Sequence, residues 1–192
     1  MDLALNYKEL FHRVMLLLSS PTKAWEEISH EDRRKVLAAF VYPLIGLCGL
    51  SVFVGTFLGN ETGVAAFQVA MTRCCALFVS LFGGFFLAAY AINQLGKQLL
   101  HREDQYELSQ QFVGYSMVMV FVLDFIGGLM SISILHGILQ IYTVFVVYEG
   151  ARQLMRVDKY QLTRYALIAT LIIVVCPALI NFLFTKLSAT LN

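Results

Sequence analysis

An aspartate inside an apolar run is the first residue whose type could do chemistry. Asp124 lies in GYSMVMVFVLDFIGGL, residues 114–129, and His136 follows in the next apolar stretch. Ionisable residues at such depth often mark proton relays or cation pathways. The same two side chains could instead form a polar clasp between helices, because an Asp beside a His favours the charged imidazole and eases the desolvation of both. If the chain turns near Met130 or Ser131, Asp124 and His136 each lie about six residues from the turn, ~9 Å below the outer end of a helix. One pair without a file of polar residues crossing the membrane fits the clasp more closely. Insertion tolerates the Asp. Its cost of roughly 2.5–3.5 kcal/mol is met by ten Leu, Ile, Val or Phe between 112 and 130, at about 0.3–0.6 kcal/mol each.

Other polar residues carry less chemistry. Glu149 and Arg152 stand one helical turn apart and read as an ion pair at the cytoplasmic interface. Arg73 is placed to extend toward headgroups. Cys48, Cys74, Cys75 and Cys176 lie in or beside apolar segments without metal-ligand spacing. No GxSxG, HExxH, phosphate loop or Cys/His set is present, and the cytoplasmic loops are too short for a soluble catalytic domain. The expectation is a protein that is no enzyme, with no metal and no cofactor. A net charge of +1 without a basic stripe argues against nucleic acid.

The elements that position these residues follow from composition. Hydrophobic residues make up 58% of the 192 and charged residues 14%, with a mean hydropathy of +0.70. Soluble domains carry about a quarter charged residues. Five segments approach the ~20 residues a membrane helix needs, at 36–58, 74–95, 112–130, 132–149 and 163–184. The third and fourth read as a hairpin, with Gly127 and Gly128 permitting close packing at its turn. With the N-terminus in and the C-terminus out, twelve of the fourteen Lys and Arg fall on the cytoplasmic side, leaving Arg73 and Lys186 outside. No cleavable signal peptide is evident, so the first span is expected to direct insertion.

The fold class is therefore an all-α integral membrane protein, five transmembrane helices preceded by an N-terminal amphipathic interfacial helix. Its division is an interfacial segment over 1–30 and a five-span domain over 31–192. In the first segment Leu3, Tyr7, Leu10, Phe11, Val14, Leu17 and Leu18 recur at helical spacing. Ser20-Pro21 is a plausible cap and first position for a second short helix. Trp25, Arg13 and Lys23 are the expected interfacial anchors, although the same face could pack under the bundle. Ser51, Gly55 and Gly59 repeat every four residues and form a stripe for close helix packing. Pro43 and Pro177 should kink or break the first and fifth spans, and Gly83-Gly84 loosen the second.

Three stretches resemble the Yip family of five-span, Ypt-interacting membrane proteins, in particular its small prokaryotic branch. SSPTKAWEEI at 19–28 is similar to the Pro-x-x-Ala-Trp segment that precedes its first span. FVGYSMVMV at 112–120 resembles the Tyr-Ser opening of its third span, and IYTVFVVYEGARQLMRVDKYQ at 141–161 its fourth span and basic loop. Where the prokaryotic pattern often has Pro after Tyr-Ser, this chain reads Met117-Val118-Met119, so no proline prescribes a kink. The Asp-Leu-Tyr-Gly-Pro type motif of eukaryotic members is missing, so GTPase binding is not implied. The resemblance implies a non-enzymatic, multi-pass protein of a bacterial inner membrane. The expected role is a membrane organiser, trafficking-related protein or partner subunit in the lipid bilayer, joined to another membrane protein or to a second copy. The alternative is a small proton- or ion-linked transporter using Asp124 and His136.

Overall fold

The computed structural model describes residues 7–58, 63–129 and 133–191, without the side chains of 65, 133–140 and 188–191. The described residues form eight α-helices and no strand. Two short amino-terminal helices, α1 (Tyr7–Ser19) and α2 (Pro21–Ser29), are joined through Ser20. Ser20 occupies the cap position but makes no side-chain cap bond, so Pro21, with its φ already helical, opens the second helix.

A 3₁₀ turn, Arg33–Lys35, and a π-helical turn, Leu37–Val41, lead into α3 (Tyr42–Leu58). The wide turn has a local cause. Pro43 has no N–H and its ring crowds the carbonyl four residues back, and a π-bulge is one way to absorb that mismatch. Tyr42 N–H accordingly reaches back to Leu37 O.

Helix α4 (Gly63–Leu100) runs for 38 residues, about 57 Å at 1.5 Å per residue, and Gly83-Gly84 do not interrupt it. It packs along α8 (Lys159–Leu191), which continues through Pro177 without a break. The glycine and the proline fit each other: a Cβ on Gly84 would stand 2.5 Å from Pro177 Cα, and Ser80 Oγ donates to Pro177 O at 2.8 Å. Gly84 therefore serves close helix contact rather than flexibility.

Between them lie α5 (Tyr106–Ser116), α6 (Val118–Leu129) and α7 (Ser133–Gln153). The third apolar segment is thus two helices, meeting at Met117 with a 42° bend. Among the described residues three helices are long and apolar enough to cross a membrane, Arg33–Leu58, Ala66–Leu100 and Lys159–Leu187, and a fourth span results if the bent pair counts as one, against the five expected. Exposed apolar side chains on α8 recur at helical spacing, at Leu167, Leu171, Val175, Leu179, Phe182 and Leu187. An outward stripe of this kind suits lipid as solvent.

Helices α4 and α7 both close on a residue in left-handed conformation, His101 (φ 49°) and Arg156 (φ 44°). Each is followed by a hydrogen bond reaching back six residues, Arg102 N to Gly96 O and Val157 N to Ala151 O, one residue wider than the Schellman bond that glycine usually supports. Arg102 Nη2 also donates to Arg156 O at 3.0 Å, tying the two helix ends together.

Candidate functional site at the amino-terminal cap

The packing of α1 and α2 follows from the angles at which their side chains project. Leu10, Val14 and Leu17 face inward on α1, while Tyr7, Phe11 and Met15 lie on the adjoining flank and are exposed. On α2, Ala24, Trp25 and Ile28 are fully buried. The amphipathic face is thus shared between the protein interior and the surface.

Trp25 lies inside the bundle rather than at an interface, which corrects the expectation of an exposed anchor. Its indole N–H donates to Val146 O of α7 at 2.9 Å, and its ring packs near Phe112 (5.9 Å between centroids) and edge-on to Tyr115 (6.1 Å). Gly150 makes the space: a Cβ there would lie 2.6 Å from both Cε2 and Cζ2 of Trp25 and 3.0 Å from Phe112 Cε2. A lone Trp on an amphipathic segment is compatible with either placement. The deciding residue, Gly150, lies more than a hundred positions away, and only its place on α7 brings it to the indole.

Arg13 also turns inward. Its guanidinium bonds Glu27 at 2.9 Å and Glu31, and Glu31 accepts from Tyr115 Oη at 2.8 Å. Arg13 is only 13% exposed, so its charge is committed to protein carboxylates rather than headgroups. Lys23 stays exposed. Three carbonyls of the short helices accept from side chains of the bundle. Tyr142 Oη donates to Leu18 O, Gln111 Nε2 to Ile28 O and Gln153 Nε2 to Thr22 O, at 2.8, 3.0 and 2.9 Å. Leu18 O lies in the last turn of α1, where carbonyls lack a partner within the helix, so the bond from Tyr142 replaces water there. Sequence reasoning missed Glu31, Gln111, Tyr115, Tyr142 and Gly150 as parts of one arrangement. The signal was the three quoted stretches taken together, since 19–28, 112–120 and 141–161 all meet at Trp25.

The model of the Yip1 domain matches residues 15–180. The chain belongs to the Yip1 family. No curated protein and no solved structure matches it. Yip1-family proteins are non-enzymatic membrane proteins, and this member is a multi-pass one. In this Yip1 domain the amino-terminal helices, the broken α5–α6 element and the end of α7 form a single packed unit.

The remaining residues named from the sequence are dispersed. Glu149, 5% exposed, pairs with Arg152 at 3.1 Å and accepts from Gln153. Ser51 and Gly55 of α3 face Gly128 of α6, where a Cβ on Gly55 would collide with Gly128 O. Gly127 points away, with nothing within 4 Å of a Cβ added to it. Gly59 and the His136 side chain lie outside the described residues, as does the turn at 130–132. Among the described residues, no hydrogen bond or ion pair holds Asp124. Among the described residues the polar groups named with it lie elsewhere: Ser80 binds Pro177, Asn93 binds Asp104 and Gln105 near the far end of α4, and Asn181 is exposed. Asp104 closes the α4–α5 loop, where Lys97, and after it Asn93, hold its carboxyl below the usual carboxylate range. Among the described residues no cluster of His, Cys, Asp or Glu could hold a metal.

Proposed function

We propose that this protein organises the membrane around it, or serves as a partner subunit there, through helix packing and interfacial insertion. Its topology in this reading is five spans, N-terminus in and C-terminus out, in the inner membrane of a bacterium, with twelve of fourteen cations on the cytoplasmic side. Residues 1–30 act as an interfacial cap on a five-span domain over 31–192. Asp124 and His136 belong to a clasp in the third-to-fourth-span hairpin. Ser51, Gly55, Gly59 and Gly128 serve helix packing, while Gly127, expected to share that role, faces open space.

The observation that carries the reading is the split apolar face of α1. One flank is fixed to the bundle, and the other presents Tyr7, Phe11 and Met15 at 66, 67 and 47% exposure. Three large apolar side chains in one row are placed to enter the headgroup boundary, while Lys8 and His12 flank them on the polar side. Replacing all three by Ser tests this. The variant should insert and keep a folded bundle, yet lose the partner or higher-order assembly recovered with the wild type from native membranes in mild detergent. Unchanged assembly and partners would overturn the proposal.

A further inference from the structure

Beside the exposed flank of α1 an open groove of about 450 Å³ runs along the outer surface of the first span. Tyr7 forms one wall, and Ala38, Tyr42, Gly46 and Leu50 follow one another along the other. Its floor is low at Gly46, where an added Cβ would meet nothing within 4 Å. Tyr42 and Leu50 are exposed, at 43 and 57%. This surface belongs to a helix apolar enough to cross the membrane, so acyl chains are its solvent. The volume lies within the ~300–1,000 Å³ range typical of small-molecule sites.

The cytoplasmic end of the groove is cationic. Arg33, Arg34 and Lys35 open the span, and Lys8 follows Tyr7 in sequence. Arg34 is paired with Glu107 at 3.1 Å. Arg33, Lys35 and Lys8 are exposed, with no ion pair among the described residues. Lys35 lies three residues before Ala38, where the 3₁₀ turn gives way to the π-helical one. A ligand that is long and apolar at one end and anionic at the other matches both halves.

We propose that this groove binds one anionic phospholipid of the cytoplasmic leaflet, its acyl chain lying over Gly46 between Tyr7 and Leu50 and its phosphate held by Lys35 and Lys8. The two Tyr hydroxyls stand at the polar-apolar boundary, where aromatic residues with a polar tip are favoured. Each cation near an anionic lipid surface strengthens attraction by about fivefold. The inference rests on the interfacial placement of α1.

The test uses the full chain in nanodiscs of phosphatidylglycerol and phosphatidylcholine at equal proportions, transferred to mild detergent, with retained lipid counted by native mass spectrometry. The wild type should keep phosphatidylglycerol in preference to phosphatidylcholine. Lys35→Gln should weaken that preference about fivefold, and Lys8→Gln with Lys35→Gln further. Gly46→Leu, which fills a space open in the fold, should lower retention of both lipids while the circular dichroism melt is unchanged. Equal retention of the two lipids by the wild type, or retention unaltered by the Lys and Gly substitutions, would overturn the proposal. A separate arm compares Phe11→Trp with wild type for quenching by brominated lipid. Quenching at Phe11 without selective retention would refute the groove and leave the interfacial helix standing, whereas no quenching would remove both.

Discussion

Gly150→Ala adds one methyl group at the most crowded point of the amino-terminal cap. Its Cβ would lie 2.6 Å from two atoms of the Trp25 ring and 3.0 Å from Phe112. The indole has little freedom to retreat, being fully buried, bonded to Val146 O and in contact with two further rings. Overpacking of this kind costs about 1–3 kcal/mol. Ala is a better helix former than Gly by ~0.5–1 kcal/mol, so the net loss is about 0–2.5 kcal/mol, or up to ~10 °C in a chain of this size. The decisive quantity is the coupling. Trp25→Leu removes both atoms that the methyl meets, at a cost of its own, and in that background Gly150→Ala should become neutral or stabilising. The coupling energy should therefore be about 1–3 kcal/mol in favour of the double variant. A circular dichroism melt in mild detergent reads the coupling. If Gly150→Ala shifts the melt equally with Trp25 and with Leu at that position, the steric argument is wrong.

Gly55→Ala would drive its Cβ into the carbonyl of Gly128, a backbone group that cannot swing aside, and should cost toward the upper end of about 1–3 kcal/mol. Gly127→Ala, one position from that contact and in open space, should stabilise by ~0.5–1 kcal/mol; a detergent melt of the pair checks both. Arg156→Gly relieves a left-handed residue, worth about 1–2 kcal/mol, against ~0.4–1 kcal/mol of lost chain restriction, and should raise the melt slightly. Asp104, whose carboxyl Lys97 and Asn93 hold low, contributes stability that is full above the unfolded carboxylate range near pH ~4 and is lost as pH falls through the depressed folded value. Limited pepsin digestion should therefore find the α4–α5 loop opening only at strongly acidic pH, with that dependence absent from Asp104→Asn. Asp124→Asn should leave assembly and growth unchanged; loss of a proton-dependent phenotype would revive the transport reading.

Periodicity made helices and apolar segments legible, and three apolar segments, 36–58, 74–95 and 163–184, fall within helices of the structure. The ends of α4 were harder to see. It extends eleven residues before Cys74, because Arg73 and Gln68 can face outward without interrupting a helix. The bend at Met117 has no proline to announce it; α5 there is buried on every side, with Gly114 pressed against Val36 and Val41. Pro177 misled in the opposite direction, since its helix is held by Ser80 and Gly84 of a neighbour. The site was legible as three separate stretches. Their convergence was not, because the spacing of a sequence says nothing about which distant helix supplies the wall around an indole.

The bond from Trp25 to Val146 spans 121 positions, and that from Tyr142 to Leu18 spans 124. A ribosome adding about 5–20 residues per second leaves the first helices without those partners for roughly 6–25 seconds. Throughout that interval Trp25 and the apolar face of α2 lack the α7 that covers them. The surface of the bilayer is the nearest shelter, so the newborn chain would rest there first and be drawn into the bundle only when its fourth apolar segment arrives.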